Sequence, residues 1–269
     1  MDKLSMFSSM LIVLAITAGC KPRRDQSAGS STKDTGRSLA DVFLGMEFVP
    51  IAPGAFKMSH PRRSVPSRIV QVSGFDMQQT EVTQSQWEAV MGSNPSYFTS
   101  YFRFKRNPNN PVEQVSWHMV QDFIAVLNRI PGKYEYQLPT TEQWEYAARA
   151  GTTADNLNDL RAMAWHYDNS DGKTHPVATM RANAWGLHDM HGNVKEWTSS
   201  LEWPLNPGAK DRIIRGGSYG DPLGECYSFK MAADDPDLET SYVGFRLVRK
   251  LKSTPPPEIR TDEYDHTSK

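Results

Sequence analysis

The chain has 269 residues, 38% of them hydrophobic and 10% aromatic, enough for one large domain or two small ones around a sizeable core. Its 30 Lys+Arg against 31 Asp+Glu leave no basic excess for nucleic acid and no acidic run for a solvated tail. Full-length disorder and a polytopic membrane protein are also excluded, since aromatic residues abound and only one long apolar run exists.

That run opens the chain. Lys3 is followed by an apolar stretch from Met10 to Ala18, then by Gly19 and Cys20. It is far shorter than the roughly 20 residues a spanning helix needs, so residues 1–19 read as an export signal. Small residues directly before a cysteine resemble the lipobox of bacterial lipoproteins, which implies lipidation of Cys20. Thr17 stands where that motif usually carries Leu, and the alternative is an ordinary signal peptide with an incidental cysteine. Lys21 after the cysteine resembles outer-membrane sorting. Residues 20–37 are Ser, Gly, Thr and charge, the composition of a flexible tether. Residues 38–251 are the folded part. Residues 252–269, with Pro255-Pro256-Pro257, read as a disordered tail. With Cys20 lipidated, Cys226 is the only thiol left and no intrachain disulfide is possible.

Within the folded part, short apolar segments lie at Phe48 to Ile51 and Arg68 to Val72. A helix is expected over Thr83 to Met91, capped by Thr83, with Trp87, Val90 and Met91 on one face. A second runs from Trp117 to Ile130 and stops before Pro131-Gly132. A third follows Thr140 and is ended by Gly151. From Gly151 to Asp211 only short patterned pieces occur, among many Gly, Asn and Asp. Apolar segments return at Arg212 to Arg215 and Tyr242 to Val248. The combination predicts an α+β fold, loop-rich, with few regular elements.

Several phrases occur in a fixed order: Phe48-Val49-Pro50-Ile51-Ala52-Pro53-Gly54-Ala55-Phe56-Lys57-Met58, Glu81-Val82-Thr83, Asn110-Pro111-Val112-Glu113-Gln114-Val115-Ser116-Trp117 and Leu138-Pro139-Thr140-Thr141-Glu142-Gln143-Trp144-Glu145-Tyr146-Ala147-Ala148-Arg149. Asn183-Ala184-Trp185-Gly186-Leu187, Gly192-Asn193-Val194-Lys195-Glu196-Trp197, Arg215-Gly216-Gly217-Ser218-Tyr219 and Gly244-Phe245-Arg246 follow. The series resembles the formylglycine-generating enzyme, or sulfatase-modifying factor, family over about Met46 to Arg249. The resemblance implies a C-type-lectin-like fold. It does not settle function, because the family joins copper-dependent oxidases to iron enzymes and to exported members without known chemistry.

In the oxidases, the resemblance implies, two cysteines five apart bind copper(I) as thiolates, a soft donor set for a soft metal. Counted from Tyr219, Cys226 falls on the second position and Asp221 on the first. A carboxylate is a poor replacement, so the two-thiolate copper site cannot form. Lys195 stands where the family carries an indole near the oxygen site. Ser218 is retained at a polar pocket position, which leaves Cys226 and Ser218 as the catalytic candidates. Cys226 also reads simply as a buried, unreactive thiol. Asp221 brings a negative charge to the place where a substrate thiolate must arrive.

The resemblance also implies a structural calcium site formed by Asp189, Gly192, Val194 and Glu196. Side-chain and backbone oxygens of one tight turn suit that ion; the alternative is a hydrogen-bonded turn with a capping Asp and a surface Glu. His188, His191 and His175 lie nearby, and two His with a carboxylate could bind iron(II). They are read instead as turn and core histidines. A hydrolytic reading of Ser218 has no nucleophile-elbow pattern behind it.

The expected protein is therefore an envelope lipoprotein, anchored by lipid in the outer membrane and facing the periplasm. It would bind or assemble a protein or peptide partner, without nucleic acid and without copper. The alternative is a divergent oxidoreductase of the family that modifies a protein or small molecule.

Overall fold

The computed structural model describes residues 38–58, 66–99, 107–201 and 210–252. Cys20, the tether at 20–37 and nearly all of the 252–269 tail lie outside them. No described helix is long and apolar enough to cross a membrane.

The first helix, α1 (Leu39–Leu44), is held at both ends by local chemistry. Ser38 and Asp41 form a reciprocal capping box, and Gly45 closes the helix in a left-handed conformation. Four strands build the first sheet: β1 (Phe48–Ile51), β4 (Phe75–Gln78), β5 (Tyr134–Gln137) and β10 (Val248–Leu251). Their order is β1-β4-β10-β5, all antiparallel, so strands from opposite ends of the domain flank β4. The hairpin β2 (Gly54–Met58) and β3 (Arg68–Val72) forms a separate two-stranded ribbon.

The expected helices are present. Helix α2 (Gln84–Met91) and helix α4 (Thr141–Arg149) each begin with a capping box, Thr83 with Gln86 and Thr140 with Gln143. Between them in sequence, α3 (Trp117–Arg129) is capped by Ser116 and buries Val120, Phe123, Ile124 and Leu127. The apolar faces of α2 and α3 meet over Trp87, which stacks on Phe123 at 5.2 Å while both meet Phe245 edge-on. A second cluster gathers Met77, Trp144, Ala147, Leu187, Met190 and Val248 under the first sheet.

The stretch from Gly151 to Asp211 is more regular than its composition suggests. It contains α5 (Leu157–Met163), capped by Asn156, and β6 (Lys195–Leu201). Strand β6 is central in the second sheet, whose order is β8-β7-β6-β9 with β7 (Arg212–Arg215), β8 (Met231–Asp234) and β9 (Val243–Gly244). The β6–β9 pairing is parallel and the others antiparallel. The segment Tyr242 to Val248 is split: β9 and β10 belong to different sheets, and Phe245-Arg246-Leu247 crosses between them. Backbone bonds still tie that crossing down, because its carbonyls at Phe245 and Leu247 accept from the Val82 and Gln78 N–H groups.

The core carries an unusual polar load. Arg215 donates to Thr141, Ser228 and Glu145 with no exposed side-chain surface. Glu113, also fully buried, accepts the Tyr97 and Phe98 N–H groups at 2.9 and 3.0 Å, which holds that loop on the core. No cation pairs with it among the described residues, and burial pushes its carboxyl up to about 7.

Candidate functional site

The turn before β6 and the turn after β7 lie against each other. Gly192 makes the first possible: its φ is +80°, and a Cβ there would lie 2.1 Å from the Trp165 carbonyl oxygen. Gly217 makes the second possible, since its φ is +73° and a Cβ would meet Cys226 Sγ at 2.7 Å. The thiol is thus seated in the space a side chain would fill.

Cys226 is fully buried, and burial, followed by the Asp221 charge, pushes its thiol up to about 12. It therefore stays protonated at neutral pH. Lys195 acts in the opposite direction. The Lys195 ammonium lies 2.8 Å from Asp221 Oδ2, and the buried Ser218 hydroxyl donates to the same oxygen. The negative charge expected to repel an incoming thiolate is consequently neutralised in place. Lys195 and Asp221, read in the sequence as two separate departures from the resembled pattern, form one ion pair.

A cleft of only 110 Å³ opens over this pair, walled by Lys195, Asp221, Glu225, Lys230 and the Gly216-Gly217 backbone. Glu225 and Lys230 form a second ion pair at 2.7 Å. Neither Cys226 nor Ser218 lines it. Pockets that take small molecules run to about 300–1,000 Å³, so this cleft holds two salt bridges and little else.

On the opposite face of β6 the chemistry changes. Glu196 has no exposed side-chain surface; its two oxygens share the single Arg246 Nε–H at 2.8 Å, Oε1 also meets Arg246 Nη2 at 2.7 Å, and Oε2 accepts from Trp144 Nε1 at 2.7 Å. Arg246 also donates to the His188 carbonyl at 2.8 Å and to the carbonyls of Gln78 and Gln79. It was not singled out in the sequence, although a lone Arg inside an apolar phrase signals a buried partner. Asp189, at φ +55°, accepts the Ala178 N–H at 2.7 Å through Oδ2, while Oδ1 is buried without a partner. Glu81, also missed in the sequence, accepts from Val194 N–H at 3.0 Å and Asn193 Nδ2 at 2.7 Å.

Three buried carboxylates thus surround one guanidinium. Burial raises Asp189 to about 6 and Glu81 well above the usual carboxylate range, the latter raised further by Asp189 and Glu196. The cluster has an unmet demand for positive charge, and one orphaned oxygen to meet it with. Glu196 is the exception among the expected ligands, because its oxygens are already committed to Arg246 and Trp144. Among the described residues, no three His, Cys, Asp or Glu side chains gather as a metal cluster. Any ion here takes backbone carbonyls, and Gly192 and Val194 lie in the turn that could supply them.

The three histidines are each held by a carbonyl. His188 Nδ1 and His175 Nε2 reach Met180 and Ser170, both at 2.8 Å, and His191 Nδ1 reaches Cys226 at 2.7 Å. His175 also stacks on Trp165 at 3.8 Å.

The sequence model of the sulfatase-modifying factor enzyme 1-like domain matches residues 40–251. A relative named "Chaperone protein LppX", from Paenibacillus barcinonensis, is 28% identical over 64% of this chain and 78% of its own length. The formylglycine-generating enzyme of Mus musculus is 29% identical over 87% of this chain and 86% of its own. Among solved structures, Treponema denticola variable protein 1 superposes with a TM-score of 0.67 at 27% identity, covering 76% of this chain and 94% of that one. The expected α+β, C-type-lectin-like fold is present. The chain belongs to the sulfatase-modifying factor family.

Proposed function

We propose that this protein is an exported lipoprotein, anchored through Cys20 in the bacterial envelope, whose domain binds or assembles a protein or peptide partner and lacks the copper-dependent oxidase activity. The observation that carries this reading is the Lys195–Asp221 pair, 2.8 Å long, at the place of a thiolate and an indole. A carboxylate already bonded to an ammonium and a hydroxyl is a hard, saturated donor and no ligand for copper(I). The remaining thiol is sealed and protonated. A relative named as a chaperone supports a non-catalytic use of the scaffold. The small-residue segment Ala18-Gly19-Cys20 supports the anchor, and Lys21 supports the outer membrane.

Calcium belongs to the same proposal as a structural ion. Asp189 Oδ1 and the carbonyls of Gly192 and Val194 would hold it, with Glu196, bonded to Arg246 and Trp144, adding only its negative charge. Its positive charge would offset the three buried carboxylates and fix a turn that has no ladder of its own.

The test is mass spectrometry of a sulfatase-motif peptide incubated with the wild-type protein, copper and a reductant. No conversion of its cysteine to the aldehyde is expected. Multiple turnovers abolished by Cys226→Ser would return the protein to the oxidases, and the alternative of a divergent oxidoreductase would then stand.

A further inference from the structure

Helix α1 is clamped to the first sheet by its polar side. Asp41 accepts from Arg249 and from the Tyr136 hydroxyl, and Ser38, the N-cap, meets the same hydroxyl. Ala40 and Leu44 are buried in the core beneath the helix. Two large apolar side chains nevertheless turn outward. Leu39 and Phe43, four residues apart and so on one face, are 60% and 56% exposed.

Leu251 adds a third, 65% exposed. Strand alternation puts it on the same sheet face as Arg249, the partner of Asp41, and both line a 490 Å³ cleft with Pro50 and Tyr134. Two contacts close the corner. A Cβ on Gly132 would lie 3.6 Å from Ser38 Cβ, and the Lys252 N–H donates to the Lys133 carbonyl at 2.8 Å. Leu39, Leu251 and the exposed Lys133 and Lys252 thereby share one corner of the domain. Single exposed apolar residues are ordinary, whereas three gathered on a rigid surface mark a contact site.

The covalent attachment at this corner and its charge indicate what covers it. Ser38 is where the segment from Cys20 joins the domain, and residues 21–37 carry five Lys or Arg against two Asp. These seventeen residues span at most about 60 Å, so an anchored domain stays close over the bilayer and weak contacts suffice to orient it. Lys133 and Lys252 continue the positive charge onto the domain. The nearby acids are paired, Asp41 and Asp76 with Arg249 and Glu135 with Lys250. Exposed Glu47 lies past the opposite end of α1 from Ser38.

We propose that this corner, formed by Leu39, Phe43 and Leu251, rests on an anionic phospholipid surface, with the apolar side chains entering the headgroup region and Lys133 and Lys252 beside lipid phosphates. This orientation rests on the Cys20 anchor proposed above, and goes beyond it by giving the domain a membrane-facing side.

Nitroxide labelling of the full chain, purified from the envelope and reconstituted on phosphatidylethanolamine–phosphatidylglycerol vesicles, tests it. Cys226 is buried, so single cysteines introduced by Leu39→Cys, Phe43→Cys or Leu251→Cys take the label. Tyr167→Cys is the control, at a position 70% exposed whose N–H bonds the Asp221 carbonyl. The three corner labels should collide severalfold more with oxygen, which dissolves in the bilayer, than with a water-soluble nickel chelate; the control should not. That preference at Leu251→Cys should be lost when Leu39→Ser and Phe43→Ser are added, and should weaken on phosphatidylcholine vesicles. Corner labels open to both reagents, a control that behaves like them, equal preference on phosphatidylcholine, or no response to the added serines overturns the contact. Labels shielded from both reagents mean that a protein surface covers the corner, and overturn it as well. A labelled chain that fails to melt cooperatively is replaced by hydrogen exchange of the wild type, in which vesicles must slow the Leu39–Leu44 amides. Intact mass reads the anchor separately: acyl mass with water-exposed labels removes the contact and leaves the anchor, whereas a chain without acyl mass removes both.

Discussion

Lys195 and Glu196 are neighbours on β6, and each forms an ion pair, yet the two pairs have little in common. Lys195–Asp221 leaves about a quarter of each side chain exposed, whereas Glu196–Arg246 leaves nothing exposed. Strand alternation sends one side chain to the cleft and the next to the core. The outer pair lines a small cleft; the inner pair holds three segments of the fold together. Water decides the difference, because it screens the outer pair and has been removed from the inner one.

The largest expected effect comes from breaking the inner pair. Arg246→Met leaves Glu196, Glu81 and Asp189 buried without their cation, and should lower stability by about 3–5 kcal/mol in urea unfolding. A loss below about 1 kcal/mol would erase the distinction between the two pairs.

Glu113 sharpens it, as a buried carboxylate that pairs with no cation among the described residues. Its carboxyl is raised from 4.5 to about 7 in the fold, so between those values the native state binds more protons than the unfolded one. Stability from this group is fully present below about pH 4.5 and falls as pH rises through 7, by on the order of 3 kcal/mol. Glu113→Gln should flatten that slope. Equal pH profiles for variant and wild type would contradict the burial assigned to it.

Calcium at Asp189 comes next. A ligand bound only by the native state adds about 2.7 kcal/mol at a hundredfold excess over its dissociation constant, so chelation should lower the melting temperature. Asp189→Asn should remove that dependence; identical curves with and without chelator would strike the ion from the cluster. The smallest effect is expected at the outer pair. A double-mutant cycle of Lys195→Ala with Asp221→Ala should give a coupling of about 1 kcal/mol or less.

The sequence was most legible where structure is local. Thr83, Ser116 and Thr140 mark the starts of α2, α3 and α4 because a capping oxygen acts within three residues. It was least legible in β6, which reads Lys-Glu-Trp-Thr-Ser-Ser-Leu and buries Glu196, Trp197 and Thr198 consecutively. A run with a charge inside it does not look like a central strand until Arg246, fifty residues later, is placed beside it. The same holds at the cleft. Lys195 and Asp221 read as two separate losses in the chain, and only their 2.8 Å contact makes them one exchange. Their opposite signs, at two positions of one pocket, were the available clue.

The bond from His191 to the Cys226 carbonyl joins two turns that lie 35 residues apart in the chain. One turn carries the histidine just before β6, and the other seats the thiol against Gly217. Replacing His191 would leave that carbonyl without its partner. The seat of the thiol thus depends on a ring outside its own segment, and a change before β6 would be felt as a loosening behind β7.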